Sequence, residues 1–347
     1  MTHPHASSGA DVARDRPALD GLEHWVAMTG AFRPELMGPH AGQSGLATVL
    51  DIGGGRGLAL ATRGVGAKRA VAQLAGRYDT LGIDCVAMSA NDVVCVGAEP
   101  VAMLPYCAID HVHAGMAEAI GKGLYEGAKQ AGIAIVGGES GQGCDVAGTC
   151  VGLVALDQVI DGSRVRPGDL VIGLASSGVH ASGLTLARAA LLTGTDADGR
   201  VVPELETDVT SALLTPTRIY VKPILALVRA LGADVKALLH ITGGGLLDLT
   251  RVRAHVGFVL DAMPAPPPIF ELIRRAGVAT SDLYAALNMG IGLCAVVAPS
   301  AVDRALNVLA SHSEIARVIG RATDDTSRAV HIPAAGLVGV GQAFREQ

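Results

Sequence analysis

The sequence predicts two α/β domains in one chain, a fold class that here includes α+β arrangements. In both halves, apolar segments of strand length alternate with segments of helical spacing, which is typical of mixed α/β domains. The chain has 347 residues, more than one hydrophobic core usually serves. Half of the residues are hydrophobic but only 3% are aromatic. We therefore expect a core of Val, Leu, Ile and Ala, as in buried strands covered by helices.

Composition also narrows the class of partner and the compartment. The formal net charge is -6, which argues against a nucleic-acid binder, because such proteins need a basic face. Anionic small molecules remain candidates, since backbone N–H groups can bind phosphate locally. The apolar runs are interrupted by charged and Gly residues, so no membrane span is expected. Residues 1–18 lack the apolar core of a signal peptide and are predicted to be a mobile leader. Together these features predict a cytoplasmic protein.

The six cysteines give no sign of a metal or disulfide framework. No C-x-x-C pair occurs, and no His/Cys cluster has zinc spacing. All six lie in or beside apolar runs: Cys85, Cys95, Cys107, Cys144, Cys150 and Cys294. We expect buried, unpaired thiols in a reducing cytosol.

Periodicity and turn residues predict the elements of the first half. Residues 19–30 have helical spacing, and a Gly-rich stretch follows from Met37 to Gly45. Gly53–Gly55 separate two apolar runs and predict a hairpin turn. The predicted elements are strands Ala47–Ile52 and Gly57–Ala61, helix Thr80–Val96, strand Val101–Ile109, helix Ala114–Ala131 closed by Gly132, strand Ile133–Val136 and strand Cys144–Leu156.

The segment Ile160–Asp169 combines turn residues with charges and is the predicted link between domains. It divides the chain into an N-terminal domain, residues 19–163, and a C-terminal domain, residues 164–347. The second half then repeats the β/α order. Its predicted elements are strand Leu170–Ala175, a turn at Ser176–Ser182, helix Leu184–Leu192, the run His240–Gly245 leading into Leu246–Arg251, strand Val256–Leu260, helix Ile269–Ala276, strand Ile291–Val297 and helix Ala301–Ser311.

Four Gly-rich turns that follow predicted strands are candidate phosphate sites. They are Gly64–Lys68, Gly137–Ser140, Ser176–Gly178 and Thr242–Gly245. A strand that ends in glycines and enters a helix presents several N–H groups to one point, which suits a phosphate oxygen. None has the Walker A pattern, and none is a G-x-G-x-x-G in the required context. Each turn alone is equally compatible with a purely structural role.

A series of short motifs occurs in a defined order along the chain. The first half carries YDTLGID at 78–84, VAM at 86–88, ND at 91–92, GAEP at 97–100, GGE at 137–139 and DVAG at 145–148. The second half carries SSGVHASG at 176–183, LTPTRIYVK at 214–222, HITGGG at 240–245 and NMGIG at 288–292. Together these motifs resemble the signature of the aminoimidazole ribonucleotide (AIR) synthetase family, over about residues 35–330. The second-half motifs favour this group over thiamine monophosphate or selenophosphate chemistry.

The resemblance implies a fold, a reaction and partners. The implied fold has an N-terminal α/β domain, whose sheet pairs with its mate across a homodimer, and a C-terminal α/β domain. The implied reaction is that of a cyclo-ligase in purine biosynthesis, with ATP and Mg²⁺ as cofactors. ATP phosphorylates the amide oxygen of formylglycinamidine ribonucleotide, a phosphorylated small molecule. The amidine nitrogen then closes the imidazole ring, and ADP and phosphate are released.

Site residues follow from the positions that match the motifs. The implied catalytic residues are Asp92, Glu139 and His240, with Asp92 and Glu139 also as metal ligands. The implied ATP-site residues are Gly64, Gly66, Lys68, Asp84, Gly137, Gly138 and Asp145. The implied substrate-binding residues are Ser177, Gly178, His180, Ser182, Gly243, Gly244 and Asn288. The structural alternatives are a helix cap for Asp92 and Glu139, a structural hydrogen bond for Asp84, a turn for Asp145 and Asn288, a solvated face for Lys68 and a structural role for the histidines. Asp84 and Asp92 are eight residues apart on one helix, so they can share a face.

Three departures from the family pattern fall in the N-terminal half. The family reads TDGVGTK where this chain reads TRGVGAK at 62–68, so Arg63 replaces an acid that would hold the ATP metal. Arg cannot ligate Mg²⁺, although it can contact phosphate directly. The loop after Glu139 is short, and the usual N-terminal acidic motif is not recognisable in residues 1–30. Two alternatives therefore stand beside the cyclo-ligase: a divergent paralogue acting on another small amide, and a catalytically inactive nucleotide-binding subunit.

Overall fold

The structure is a computed structural model that describes residues 21–38, 46–109, 114–192 and 201–347. The predicted leader and most of the predicted Gly-rich stretch lie outside these residues. Residues 21–28 form a helix, which agrees with the predicted helical spacing over residues 19–30. Its apolar side chains Leu22, Trp25, Val26 and Met28 are exposed, so the apolar face packs on no core formed by the described residues.

The first half forms a six-stranded sheet with helices on one side. Its strands are β1 (Thr48–Asp51), β2 (Arg56–Gly64), β3 (Glu99–Ile109), β4 (Ala134–Ile135), β5 (Glu139–Gly141) and β6 (Cys144–Ala155), and its helices are α1 (Lys68–Ala75), α2 (Asp79–Cys95) and α3 (Ala114–Ala131). The strand order is β1-β2-β6-β3-β4, and β5 also pairs with β3. Gly53, Gly54 and Gly55 all have positive φ between β1 and β2, which confirms the predicted hairpin turn.

The second half forms an eight-stranded sheet. Its strands are β7 (Leu170–Ala175), β10 (Val235–His240), β11 (Gly257–Val259), β12 (Ile291–Val297), β13 (Ala316–Thr323), β14 (Val330–Ile332), β15 (Leu337–Val340) and β16 (Ala343–Glu346), and β8 (Val201–Val202) and β9 (Thr207–Asp208) pair separately. The strand order in the large sheet is β10-β12-β7-β13-β11-β14-β15-β16. Its helices are α4 (Leu184–Leu191), α5 (Val209–Leu214), α6 (Val221–Leu231), α7 (Pro268–Arg275), α8 (Thr280–Ala286) and α9 (Val302–Ser311). Short 3₁₀ helices occur at Thr29–Phe32, Pro34–Leu36, Leu156–Gln158, Pro203–Leu205, Gly232–Asp234, Gly245–Arg251, Pro299–Ala301 and Pro333–Ala335.

Helix α2 is the central element of the molecule. It is apolar around most of its circumference, which is expected of a helix buried on all sides. It packs on β2, β3 and β6, on α3, and on α6 and β10 of the second half. Its side chains are almost all buried. The polar residues that α2 carries must therefore find partners inside the protein.

The α2–α3 contact depends on glycine. A Cβ added at Gly82 would overlap backbone atoms of Ile120 and Leu124 on α3. Because backbone cannot move aside cheaply, we expect Gly82→Ala to lower the free energy of unfolding by about 3 kcal/mol, as measured by urea denaturation. Gly121→Ala is the matched control, because open space surrounds that position and Ala has the higher helix propensity. Equal stability of the Gly82→Ala and wild-type proteins would contradict this account of the packing.

The structure agrees with most predicted elements and corrects two of the predicted turns. Strands β7 and β12 and helix α3 have the predicted bounds. Gly137–Ser140 leads into strand β5 and not into a helix, so the expected strand-to-helix phosphate turn is wrong there. The turn Thr242–Gly245 leads only into a 3₁₀ helix. Strands β13 to β16 were not predicted, because charged residues and glycines interrupt their apolar alternation. Among the described residues, no helix is both long enough and apolar enough to cross a bilayer.

Candidate active site

Helix α2 presents three fully buried polar side chains, Asp84, Asn91 and Asp92, to the second half of the chain. This confirms that the two acids, spaced eight residues apart, share a face of the helix. Their partners come from both halves, and the resulting network is called here the interdomain seam. It consists of Arg63, Lys68, Asp84, Asn91, Asp92, Thr217, Tyr220 and His240. The seam brings together four of the predicted site residues: Lys68, Asp84, Asp92 and His240.

The first part of the seam is a buried ion pair between Lys68 and Asp84. The Lys68 Nζ lies 2.8 Å from Asp84 Oδ2 and donates to the Thr215 carbonyl at 2.5 Å. Asp84 Oδ1 also accepts from the Thr217 backbone N–H at 2.8 Å. Burial lowers the pKa of Lys68, and the neighbouring Asp84 charge raises it. Lys68, predicted at a phosphate, thus lies wholly inside the protein and joins α1 and α2 to the segment that precedes α6.

The second part centres on Asp92, whose carboxylate lies between two basic side chains. Arg63 Nε donates to Asp92 Oδ2 at 2.5 Å. His240 Nδ1 lies 2.8 Å from Asp92 Oδ1. Each carboxylate oxygen therefore has its own partner, one from β2 and one from the end of β10. Asp92 and His240 are buried, whereas 32% of the Arg63 side chain is exposed.

Asn91 fixes the backbone that precedes α6. Its Oδ1 accepts from the Tyr220 N–H at 2.9 Å, and its Nδ2 donates to the Arg218 carbonyl at 2.8 Å. The same Nδ2 lies 3.5 Å from His240 Nε2. One amide therefore ties helix α2 to the segment that precedes α6 and lies beside the ring that Asp92 binds. Adjacent polar residues inside an otherwise apolar helix were the sequence signal for this position.

The turn Ser176–Gly183 is held by Asn288 and His180. Asn288 Nδ2 donates to the carbonyls of Gly178 and Val179, and its Oδ1 accepts from Ser176 Oγ at 3.0 Å. His180 has φ +64°, a conformation that L residues rarely adopt. Ser177 is exposed at the turn, and Ser182 is half-buried. Asn288 therefore stabilises the turn that the sequence predicts to bind substrate.

The His180 ring is buried and is held in its neutral form. Its Nε2 accepts from the Ser177 N–H at 3.1 Å and faces the Arg218 N–H at 3.5 Å. Burial lowers the pKa of His180 well below its usual value, and the nearby positive charges of His240, Lys68 and Arg218 lower it further. Protonation of this ring would therefore break the turn.

His180 predicts a pH dependence of stability. Unfolding returns its pKa to about 6.5, so below that pH the unfolded chain binds a proton that the folded chain does not. The stabilisation is fully present above pH 6.5 and is lost as the pH falls toward the lower folded-state pKa. We expect His180→Gln to reduce the slope of the unfolding free energy between pH 6.5 and 5 by about 1 kcal/mol per pH unit. Denaturation curves across this range test it, with exposed His312→Gln as control; an unchanged slope would refute the assignment.

The second glycine turn borders a cavity of about 440 Å³. Asp248 Oδ2 accepts from the Thr242 N–H at 2.7 Å and from its hydroxyl at 3.0 Å. Burial raises the pKa of Asp248, and the Arg251 charge lowers it. Gly243 and Gly244 line the cavity together with Arg251. A small anion in this cavity would meet a glycine turn and a guanidinium group.

The remaining predicted ATP-site residues lie at the ends of the strands. Gly64 and Gly66, at the end of β2, are exposed. Asp145 is exposed beside Gly64, and its Oδ1 accepts from the Val146 N–H. Gly137, Gly138 and Glu139 line an open surface cavity of about 360 Å³. The sheet register places Glu139 opposite Tyr106, Tyr106 opposite Ala147, and Ala147 opposite Gly64. Glu139 is therefore three strand spacings, about 14 Å, from Gly64.

The predicted metal pair, Asp92 and Glu139, is not assembled as a metal site. Mg²⁺ prefers several oxygen ligands in near-octahedral geometry, but both Asp92 oxygens already contact basic groups and Glu139 lies on an exposed strand. In residues 21–38, 46–109, 114–192 and 201–347, no three His, Cys, Asp or Glu side chains are grouped so that they could hold a metal ion. The side chains present do not fit a protein-bound Mg²⁺ at Asp92.

The cysteines that the structure describes are unpaired, as predicted. Cys85, Cys95, Cys150 and Cys294 are buried, and Cys107 is half-buried. Burial raises the pKa of Cys150 to about 12, which makes its thiol a poor nucleophile. The Cys144 side chain lies outside the described residues.

Sequence reasoning assigned no site role to Arg218, Thr217 or Asp248, whose contacts are fixed by the tertiary fold.

Two family models match the chain. One is "AIR synthase related protein, N-terminal domain", over residues 45–154. The other is "AIR synthase related protein, C-terminal domain", over residues 166–333. The first match ends before the predicted link Ile160–Asp169, and the second begins within it.

Curated relatives and solved structures extend the similarity over most of the chain. A phosphoribosylformylglycinamidine cyclo-ligase of Methanothermobacter thermautotrophicus is 41% identical over 92% of this chain and 94% of its own length. The protein of the same name from Pyrococcus furiosus is 43% identical over 89% and 92% of the two chains. Thiamine-monophosphate kinase from Stenotrophomonas maltophilia shares the fold, with a TM-score of 0.62 at 22% identity, covering 82% and 88% of the two chains. AaThiL complexed with AMPPCP and TMP does so with a TM-score of 0.63 at 16% identity, covering 91% and 95%.

Proposed function

The chain belongs to the phosphoribosylformylglycinamidine cyclo-ligase family, and from this we propose that it converts formylglycinamidine ribonucleotide to 5-aminoimidazole ribonucleotide, consuming ATP. The observation that carries the proposal is 41% identity over 94% of a relative with that name. The two halves of this chain match the N- and C-terminal models of AIR synthase related proteins. Structures that share the fold include one complexed with AMPPCP and one in complex with ATP, which supports nucleotide binding.

The proposed chemistry needs activation followed by ring closure. A formamide carbonyl is a poor electrophile, and its oxygen is a poor leaving group. Transfer of the γ-phosphoryl group of ATP to that oxygen makes it a phosphate ester and releases ADP. The amidine nitrogen then attacks the activated carbon, loses a proton, and expels phosphate. Because the two reacting groups belong to one molecule, holding it bent supplies much of the rate.

We assign substrate binding to two glycine turns and proton transfer to the interdomain seam. We propose that the Ser176–Gly183 turn, fixed by Asn288 and His180, binds the phosphorylated substrate. The Gly243–Gly244 turn, fixed by Asp248, borders the cavity that would receive it. At the seam, His240 and Asp92 lie within hydrogen-bonding distance of each other, where they can hold or move a proton. The proposal takes ATP as co-substrate and assigns no metal to Asp92.

We further propose that the chain works as a homodimer. The face of the N-terminal sheet opposite α2 exposes apolar side chains at Val101, Leu104, Tyr106 and Leu153. An exposed apolar patch on a sheet of a soluble domain marks an interaction surface. A second copy seated on this face would bury it and cover the sheet. A monomeric mass by light scattering at micromolar concentration would refute the dimer.

A reducing, cytoplasmic compartment is proposed from the thiols and from the substrates. The five cysteines in the described part of the chain are unpaired, as expected where thiols stay reduced. ATP and phosphorylated purine precursors are intracellular compounds.

The proposal is tested by substrate-dependent ATP use. We expect purified protein to release ADP when formylglycinamidine ribonucleotide is added, and to release little without it. Thiamine monophosphate is the control substrate, because thiamine-monophosphate kinase shares the fold. ADP release with thiamine monophosphate alone would indicate a kinase. ADP release only with a different small amide would indicate the divergent paralogue. Nucleotide binding without any turnover would indicate the inactive subunit.

A further inference from the structure

Arg63 and Asp92 form a charge pair whose two members differ in access to solvent. Asp92 is fully buried, whereas about a third of the Arg63 side chain, 32%, remains exposed. A ligand that approaches from solvent can therefore reach the Arg63 side chain but not the Asp92 carboxylate. The next residue, Gly64, is exposed at the end of β2, so no side chain follows Arg63 to cover it.

The position of Arg63 is fixed from several sides. Its backbone lies in β2, where it pairs with Gly148 of β6. Its Nε contacts Asp92 Oδ2, and the other oxygen of that carboxylate is held by His240. Asp92 itself is carried by the buried helix α2. A guanidinium held in this way is preorganised, so it loses little conformational freedom when it binds an anion.

A cation bound by protein ligands at Asp92 is disfavoured by the same contacts. Both carboxylate oxygens are occupied, and a metal ion there would lie beside the Arg63 charge, which repels it. The nearby acid Asp84 is bound to Lys68 and the Thr217 N–H. Asp145, beside Gly64, is exposed and would offer a metal ion one carboxylate. Among the residues that the structure describes, a divalent ion therefore lacks the ligand set it requires.

We infer that Arg63 is a built-in cation that takes the place of a protein-bound metal ion in front of Asp92 and binds a phosphate group of the nucleotide directly. Arg is well suited to this role, because its planar fork matches phosphate geometry and its charge is permanent. Asp92 is then a positioning residue that holds the fork, and not a metal ligand. The inference rests on the proposed function for the identity of the nucleotide, but its metal-free character is a property of the protein alone.

Two binding measurements on the full chain without substrate test the inference. We expect the wild-type protein to bind ATP in EDTA within about threefold of its affinity in Mg²⁺. Arg63→Ala should bind ATP in EDTA about 10-fold more weakly or worse, because it loses one charge-assisted contact with the phosphate. Arg63→Gln serves as a second variant, because it keeps a hydrogen-bonding group beside Asp92. Arg56→Asp is the control, since Arg56 is exposed at the opposite end of the same strand.

Mn²⁺ titration of the nucleotide-free protein, followed by electron paramagnetic resonance, gives the second readout. The wild-type protein should bind no Mn²⁺ at this position, whereas Arg63→Asp should gain one Mn²⁺ that the added Asp92→Asn change removes. Mn²⁺ bound by the wild-type protein and lost in Asp92→Asn would overturn the inference. Undiminished ATP affinity of both Arg63 variants in EDTA would also overturn it. If the wild-type protein binds no ATP under either condition, the proposed function and the phosphate contact both fail, while the Mn²⁺ result still decides whether Arg63 excludes a metal.

Discussion

Lys68→Met is expected to lower the free energy of unfolding by about 3–5 kcal/mol, the usual cost of leaving one partner of a buried ion pair without the other. Lys68 and Asp84 are both fully buried, and they join α1 and α2 to the Thr215–Thr217 segment of the second half. Without the ammonium group, the buried Asp84 charge keeps the Thr217 N–H as a hydrogen-bond donor but has lost its counter-charge. Equilibrium denaturation in guanidinium chloride measures the loss.

Two comparisons separate the ion pair from general effects of the substitution. Lys122→Met is the control, because Lys122 is exposed on α3 and its ion pair with Glu118 is at the surface, so no measurable change is expected. Adding Asp84→Asn to Lys68→Met should recover part of the loss, since it removes the buried charge. Wild-type stability of Lys68→Met, combined with weakened ATP binding, would instead support the sequence-based prediction of a phosphate contact.

Asp92→Asn is expected to lower kcat by about 100-fold or more, a loss comparable to the removal of one preorganised electrostatic contact. The amide keeps the shape of the side chain but loses the charge that orients Arg63 and His240. ADP formation at saturating substrate measures kcat, and circular dichroism verifies that the fold is retained. Asp303→Asn, on the exposed side of α9, should keep full turnover. Full turnover of Asp92→Asn would remove this residue from the site.

Local pattern was sufficient for the parts of the fold in which neighbouring residues decide the conformation. The Gly53–Gly55 hairpin, the buried helix α2 and the bounds of β7 and β12 follow from turn chemistry and apolar periodicity. The common face of Asp84 and Asp92 follows from helical geometry alone. The exposed apolar side of the 21–28 helix did not follow, since periodicity predicts a face but not whether anything covers it.

The partners in the site depend on contacts between distant parts of the chain. Asp92 meets Arg63 from 29 residues away and His240 from 148 residues away. Lys68 binds a carbonyl 147 residues further along. Such pairs are set by how the two sheets enclose α2, and no local periodicity encodes them. This is why Lys68 and Asp92 were predicted as ligands of phosphate and metal, whereas the structure places them in buried ion pairs.

Arg63 shows what the sequence and the structure each contribute to the account of the site. The departure from the family motif at 62–68 identified the position as unusual, but it left open whether the change redirects the site or abolishes it. The structure adds the contact with Asp92 and the partial exposure of the Arg63 side chain. The Arg63–Asp92 pair is the reason for expecting a site that binds the nucleotide through an Arg.

The central claim is that this chain closes an imidazole ring at the expense of ATP. The most direct measurement is mass spectrometry of the products formed from formylglycinamidine ribonucleotide and ATP, with ADP quantified in the same samples. The account predicts one 5-aminoimidazole ribonucleotide, lighter than the substrate by one water, for each ADP. ADP formed from this substrate without the imidazole product, or no reaction of a folded protein that binds ATP, would contradict it.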